Sequence, residues 1–178
     1  MSAYQIVTPA FVGFNGAGGA ASATASTSVV PVGFAADGYD ASLGVGRFVY
    51  AQGSDASARG QFVQIINGSA VLLAAGNSAS ANQVGVLAAG WTTSGTAQYG
   101  WVQVGGYVDY AKGTNSSIAA GVPLYVCAAT AGLVLTNAVG GNRVQGLVAA
   151  ASYTSSQSNS LSVVLNGACF VNGATGAL

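Results

Sequence analysis

The chain is expected to fold as an all-β protein: a compact β-sandwich or squat barrel built from two similar β units, with an N-terminal arm. Three observations predict this. Apolar runs are short, rich in Val, Tyr, Phe and Trp, and cut at frequent intervals by Gly, Ser and Asn. The helical period is poor throughout, because Gly or Ser interrupts nearly every candidate window. Finally, one stretch of sequence returns further along the chain at a nearly constant spacing.

Residues 1–33 differ from the rest of the chain and read as an arm or linker. Tyr4, Ile6, Val7, Phe11, Val12 and Phe14 precede a Gly/Ala/Ser/Thr stretch at 16–28, bracketed by Pro9 and Pro31. That stretch carries too little side chain to order itself. Two readings fit. Either the apolar end docks on a neighbouring molecule, with Tyr4, Phe11 and Phe14 as partner contacts, or it forms a first edge strand followed by a long loop.

Residues 34–178 are expected to form a single domain. RFVYAQ at 47–52, QFVQII at 61–66, AVLLAA at 70–75 and VGVLAA at 84–89 are candidate strands, with polar turn-formers between them. The Ala-rich pieces have helical propensity, but their shortness and flanking glycines favour strands. From 99 to 126 the pattern reads strand, tight Gly105-Gly106 turn, strand, polar loop, strand. Further runs follow at 133–136, 144–151, 161–165 and 168–171.

The repeat joins these runs into two halves, 46–89 and 106–150. GRFVYAQG at 46–53 lies on GYVDYAKG at 106–113, matching Gly46, Tyr50, Ala51 and Gly53 at an offset of 60. One inserted residue makes the offset 61. Ala58-Arg59-Gly60 then falls on Ala119-Ala120-Gly121, FVQI at 62–65 on PLYV at 123–126, and GVLAA at 85–89 on GLVAA at 146–150. The physical reading is two copies of a small β unit, neither able to bury its apolar face alone, packed face to face.

Composition removes most chemistry. The chain has no His and no Glu, one Lys (Lys112) and four Asp at 37, 40, 55 and 109, so the groups that usually move protons near neutral pH are scarce. No catalytic residue, cofactor site or metal site is expected, and the chain is not read as an enzyme. Asp37-Gly-Tyr-Asp40 is the one local carboxylate pair, and turn residues explain it better than a cation site. Net charge is zero and the sequence pI is about 5.8, which leaves no basic field for nucleic acid or anionic lipid. A mean hydropathy of +0.52 comes from scattered Ala and Val, and no run approaches the roughly 18 residues of a spanning helix. The N-terminal sequence lacks a basic region and apolar core, so a soluble chain outside the general secretory route is expected. Only 4% of residues are charged, which favours association: burial of surface in an assembly is the favoured explanation, and a monomer kept soluble by hydroxyls and amides is the alternative. Cys127 and Cys169 lie in apolar contexts and read as buried thiols, with a single disulfide between them left open. Trp91 and Trp101, with Tyr99 and Tyr153, offer an alternative: a sugar-stacking platform. Against it stands the commoner use of strand aromatics in cores and subunit interfaces.

A resemblance adds to this reading. VYAQ followed by ARGQFVQI, YGWVQV at 99–104, AAGVPLYV at 119–126, VQGLVAAA at 144–151 and SVVLNGACFVNG at the C-terminal end resemble the cement or decoration proteins of tailed-phage heads. The similarity spans about residues 44–173 and leaves the 16–28 stretch outside. It implies a β-rich homotrimer on the outer surface of the virion, made in the host cytoplasm, that binds the major capsid protein and reinforces the shell. It carries no specific site residues onto this chain. The alternative within the same setting is a glycan-binding β domain of a phage fibre or spike, stacking sugars on Trp91 and Trp101.

Overall fold

The computed structural model describes residues 4–7, 24–53, 55–75, 82–91, 97–114, 117–136, 143–154 and 160–170. Their regular elements are all strands: β1 (Gln5–Val7), β2 (Thr24–Ala25), β3 (Ala35–Asp40), β4 (Gly44–Gly53), β5 (Phe62–Ile66), β6 (Ser69–Leu72), β7 (Gln83–Leu87), β8 (Gln98–Ala111), β9 (Pro123–Val126), β10 (Val134–Leu135), β11 (Arg143–Ala149) and β12 (Leu161–Phe170). They join in one mixed sheet of 12 strands that curls on itself. Among the described residues no helix is long and apolar enough to cross a membrane.

Two rings of five strands account for most of this sheet. In the first, β4, β6, β5, β7 and the first half of β8 close on themselves, because β8 pairs antiparallel with both β7 and β4. In the second, the latter half of β8 pairs with β12, and β11, β9 and β10 complete the circuit. A parallel bridge from Gly113 to Val134 closes it, as Gln52 opposite Ser69 closes the first. The two squat barrels therefore share one long strand, where the sequence suggested units packed face to face.

Pairing follows the repeat closely. Phe48 lies opposite Gln103, and Val108 lies opposite Val163, both partners moved on by 60. The bridge from Ser57 to Trp91 returns as Ile118 to Tyr153. Gly60 N–H donates to the Leu87 carbonyl at 2.9 Å, and Gly121 N–H to that of Ala149 at 2.8 Å.

Strand alternation sorts the side chains into three apolar clusters. Val49, Ala51, Val63, Leu87, Val102 and Val104 fill the first barrel. On its outside, Phe48, Tyr50 and Trp101 face away from that filling and are covered by Tyr4, Ile6, Val30 and Ala36. Elsewhere on its outside, Phe62, Leu73, Val84 and Val86 run into the filling of the second barrel, with Val108, Leu124, Leu147, Leu161 and Val163. Each such fully buried side chain is worth about 1.5–3 kcal/mol of transfer free energy. A loop of the second barrel clasps the first: Gly132 N–H donates to Leu73 O at 2.7 Å, and Gly132 O accepts from Phe62 N–H at 2.9 Å.

One expectation is corrected here. Gly105-Gly106 is no hairpin turn, for β8 runs through it as one strand of 14 residues with a bulge opposite Arg47 and Phe48. A left-handed glycine serves either purpose: Gly106 has φ +88°, and a Cβ there would lie 2.6 Å from the Val45 carbonyl oxygen. Of the two readings of residues 1–33, the described part of the segment shows the first edge strand. β1 pairs with β3, β2 pairs with β8, Val30 is buried, and Gly33 N–H donates to Tyr50 O at 2.8 Å.

Candidate interaction surface

The bulge in β8 creates the polar centre of the molecule. A bulge removes carbonyls from the ladder, and buried carbonyls need donors. Gln103, fully buried, supplies one: its Nε2 donates to Gly105 O at 3.2 Å and to Tyr107 O at 3.0 Å. Tyr4 Oη also donates to Tyr107 O, at 2.8 Å, and Tyr110 Oη donates to Gln103 Oε1 at 2.8 Å. The Arg59 guanidinium lies over the Tyr110 ring, 4.2 Å from its centroid. Burial raises the Tyr110 hydroxyl far above the ordinary phenol range, and nearby Arg59 pulls it partly back. Burial likewise raises Tyr4 and Tyr50. Tyr4, Gln103 and Tyr110 are thus tied to one another and to the bulge carbonyls, and together form a structural clamp.

The outer side of the bulge is different. On the β3–β4 hairpin, Tyr39 and Val45 face each other across the strands and are 54% and 63% exposed. Two pairs along, on the same face, exposed Asp37 lies opposite exposed Arg47. Arg47 in turn lies opposite Gly105, and Gly105 opposite Asn166 of β12. An open groove of about 670 Å³ follows this line, lined by Val45, Arg47, Gln83, Asn166 and the backbone of Gly105 and Gly106, together with Val49, Ile65, Val104 and Leu165. The glycines in this lining leave main chain within reach of a partner, among apolar, amide and cationic side chains. The hairpin itself is held rigid at its tip, where Asp40 Oδ1 accepts from the N–H groups of Ser42 at 2.8 Å and Leu43 at 3.1 Å.

Asp37 and Asp40 therefore do not converge: one points outward, and the other is a turn residue packed inward. Among the described residues no cluster of three or more His, Cys, Asp or Glu could hold a metal ion. The glycan-stacking assignment is overturned for both tryptophans. Trp91 is 3% exposed, in the cluster that fills the first barrel, and Trp101 is 6% exposed against Tyr50, ring centroids 5.1 Å apart. A sugar needs an open ring face, and neither is open. Tyr4 is likewise no outward contact within this protomer: it is 3% exposed, edge-on to Phe48 at 5.2 Å. Its apolar ring completes the Phe48 cluster, and its hydroxyl serves the bulge. Phe11 and Phe14 lie outside the described residues. Cys127 is a buried free thiol.

Sequence reasoning missed Tyr39, Val45 and Asn166 and placed Arg47 only as the first residue of a candidate strand. The outward set alternates as Ala35, Asp37, Tyr39 and as Val45, Arg47, yet only the β3–β4 register shows that the two sets share a face. No protein-family model, curated protein or solved structure matches the chain.

Proposed function

We propose that this chain is a structural virion protein that binds the outer surface of a tailed-phage capsid as an oligomer and reinforces contacts between major capsid subunits. Its resemblance to cement proteins makes that oligomer a homotrimer. One observation supports the reading beyond the resemblance: Tyr4, Gln103 and Tyr110 are tied inward at the β8 bulge, while the outward face presents Tyr39, Val45, Arg47 and an open groove with Gly105 and Gly106 in its lining. Such a face suits binding by shape and main-chain contact, multiplied over many copies on a shell.

The test is co-sedimentation of the purified protein with undecorated phage heads. The unaltered chain is expected to pellet with the heads. Val45→Asp combined with Tyr39→Ser should lose at least tenfold in binding without a large change in melting temperature, because both side chains are exposed. Absence of head binding by the unaltered chain would remove the capsid reading. Undiminished binding by the double variant would remove this face from it.

A further inference from the structure

We propose that β1 is exchanged between protomers, so that Tyr4–Val7 of one copy complete the β3 edge of a second copy. This rests on the oligomeric reading above.

The receiving site is built for a strand. Three antiparallel pairs join β1 to β3, Gln5 to Tyr39, Ile6 to Gly38 and Val7 to Asp37. Tyr4 and Ile6 are buried beside Phe48 and Ala36, and Tyr4 Oη reaches Tyr107 O at 2.8 Å. Gly38 keeps the seat open, since a Cβ there would meet the Phe48 ring at 2.7 Å. The seat thus rewards a short apolar strand with main-chain pairing, two buried side chains and one partly buried hydrogen bond.

The contacts do not require that strand to come from the same chain. After Val7, 16 residues (8–23) intervene in the sequence before β2 begins at Thr24, opposite Gly100. Fully extended, that many residues reach roughly 50 Å, against a diameter of about 40 Å for a domain of this size. A neighbouring protomer's β3 edge is therefore within the tether's length. Exchange keeps every hydrogen bond and buried ring of the seat and converts them into contacts between copies. In a chain with so few charges to pair across an interface, strand exchange supplies an attachment that salt does not screen.

Gln5 and Tyr39 give the test, because they are opposite each other on the exposed side of the pair. A Gln5→Cys chain and a Tyr39→Cys chain, tagged to different sizes, are co-expressed, oxidised and run on a non-reducing gel. The unsubstituted chain controls for Cys127 and Cys169. Exchange predicts a mixed disulfide between the two chains, and the Gln5→Cys/Tyr39→Cys double variant should form covalent oligomers. Disulfides formed only within the double variant's own chain, in a protein that sediments as an oligomer, would overturn the exchange alone. A clean monomer by sedimentation would overturn the oligomeric reading and the exchange with it. If the cysteine variants do not fold, deletion of residues 1–7 decides. Exchange predicts that the oligomer then dissociates at a concentration at least tenfold higher, and an unchanged dissociation curve would overturn it.

Discussion

The two barrels share a pairing scheme yet sit in unequal surroundings. Gly60 and Gly121 occupy the same place in their units, each donating to the last strand residue before the barrel closes. Beyond Gly121 there is open space, whereas Gly60 is pressed against the carbonyl of Tyr110. Trp91 fills in the first barrel the position Tyr153 fills in the second. Tyr50 packs among aromatics, whereas its counterpart Tyr110 is wired to Gln103 and covered by Arg59. The difference teaches that duplication reproduces hydrogen-bond register, while packing of one copy on the other makes equivalent residues unequal. The first barrel is gripped from both sides, by β1 and β3 and by the loop of Gly132. It should tolerate change less.

The largest effect is expected at the glycine pair. Gly60 has φ +88° and Gly121 φ +78°, so alanine at either is strained by about 1–2 kcal/mol. At Gly60 a Cβ would also lie 2.1 Å from Tyr110 O, in backbone that cannot yield without breaking the 2.9 Å bond from Lys112 N–H to Gly60 O. Gly60→Ala should therefore cost more than about 4 kcal/mol or prevent folding, and Gly121→Ala should cost only its strain. Urea midpoints of the two variants measure this. Equal losses would mean that the barrels are packed alike.

Gly53 and Gly113 sharpen the same contrast. A Cβ on Gly53 would enter the Trp91 ring, 2.1 Å from Cζ3, whereas on Gly113 its nearest neighbours would be the Ile118 Cδ1 at 3.3 Å and Leu161 Cδ2 at 3.5 Å. Gly53→Ala should cost about 3 kcal/mol by overpacking, and Gly113→Ala under about 1 kcal/mol, because methyl termini can shift. Adding Trp91→Tyr, the residue type the second barrel uses, should relieve part of the Gly53→Ala loss. Strict additivity in thermal melts would show that the two side chains do not press on each other.

Much of this arrangement was legible in the sequence, and the exceptions have physical causes. Identities such as Tyr50 with Tyr110 and Gly53 with Gly113 reveal the duplication because pairing register constrains backbone-dictated glycines and alternating apolar residues. Asp40 was readable as a turn residue because its hydrogen bonds are local. Gly105-Gly106 was not readable as a bulge, since a turn and a bulge ask for the same backbone and differ only in what lies across the sheet. The burial of Trp91, Trp101 and Tyr4 depends on strands far away in sequence, so aromatic content alone left core packing and a surface role both open for the tryptophans, and the fold decides for the core. For the same reason the outward pair of Tyr39 and Val45 had no local signature.

Gln103 tests the shared strand itself. In the second barrel the corresponding place on β12 is taken by Val163, equally buried but wholly apolar. Gln103→Leu removes the donor to Gly105 O and leaves Tyr107 O to Tyr4 alone, at a cost of about 2 kcal/mol. Val163→Thr makes the opposite change, setting a hydroxyl among apolar neighbours, and should cost about 1–2 kcal/mol. Chemical denaturation of both variants is the measurement, and a neutral Gln103→Leu would show that the bulge carbonyls need no buried donor.

The smallest effect is one of pH, and it separates Tyr110 from Tyr50. Burial raises both phenols, Tyr110 further, above the value near 10 of an unfolded chain. A raised folded value means that the contribution of each tyrosine is complete below about pH 10 and is lost as pH rises toward the folded value, because only the unfolded chain releases its proton there. For one such tyrosine the loss stays under about 1 kcal/mol at pH 10.5 and grows by at most about 1.4 kcal/mol per further pH unit. Tyr110→Phe forfeits the hydrogen bond to Gln103 at every pH, so its stability starts lower, but its alkaline slope should be shallower. Tyr50→Phe should flatten that slope less, since Tyr50 is not bound into the bulge network. Melting temperatures between pH 8 and 11 compare the three proteins. An alkaline slope left intact by Tyr110→Phe would mean that its hydroxyl is not held inside the clamp, and the strongest chemical difference between the two barrels would disappear.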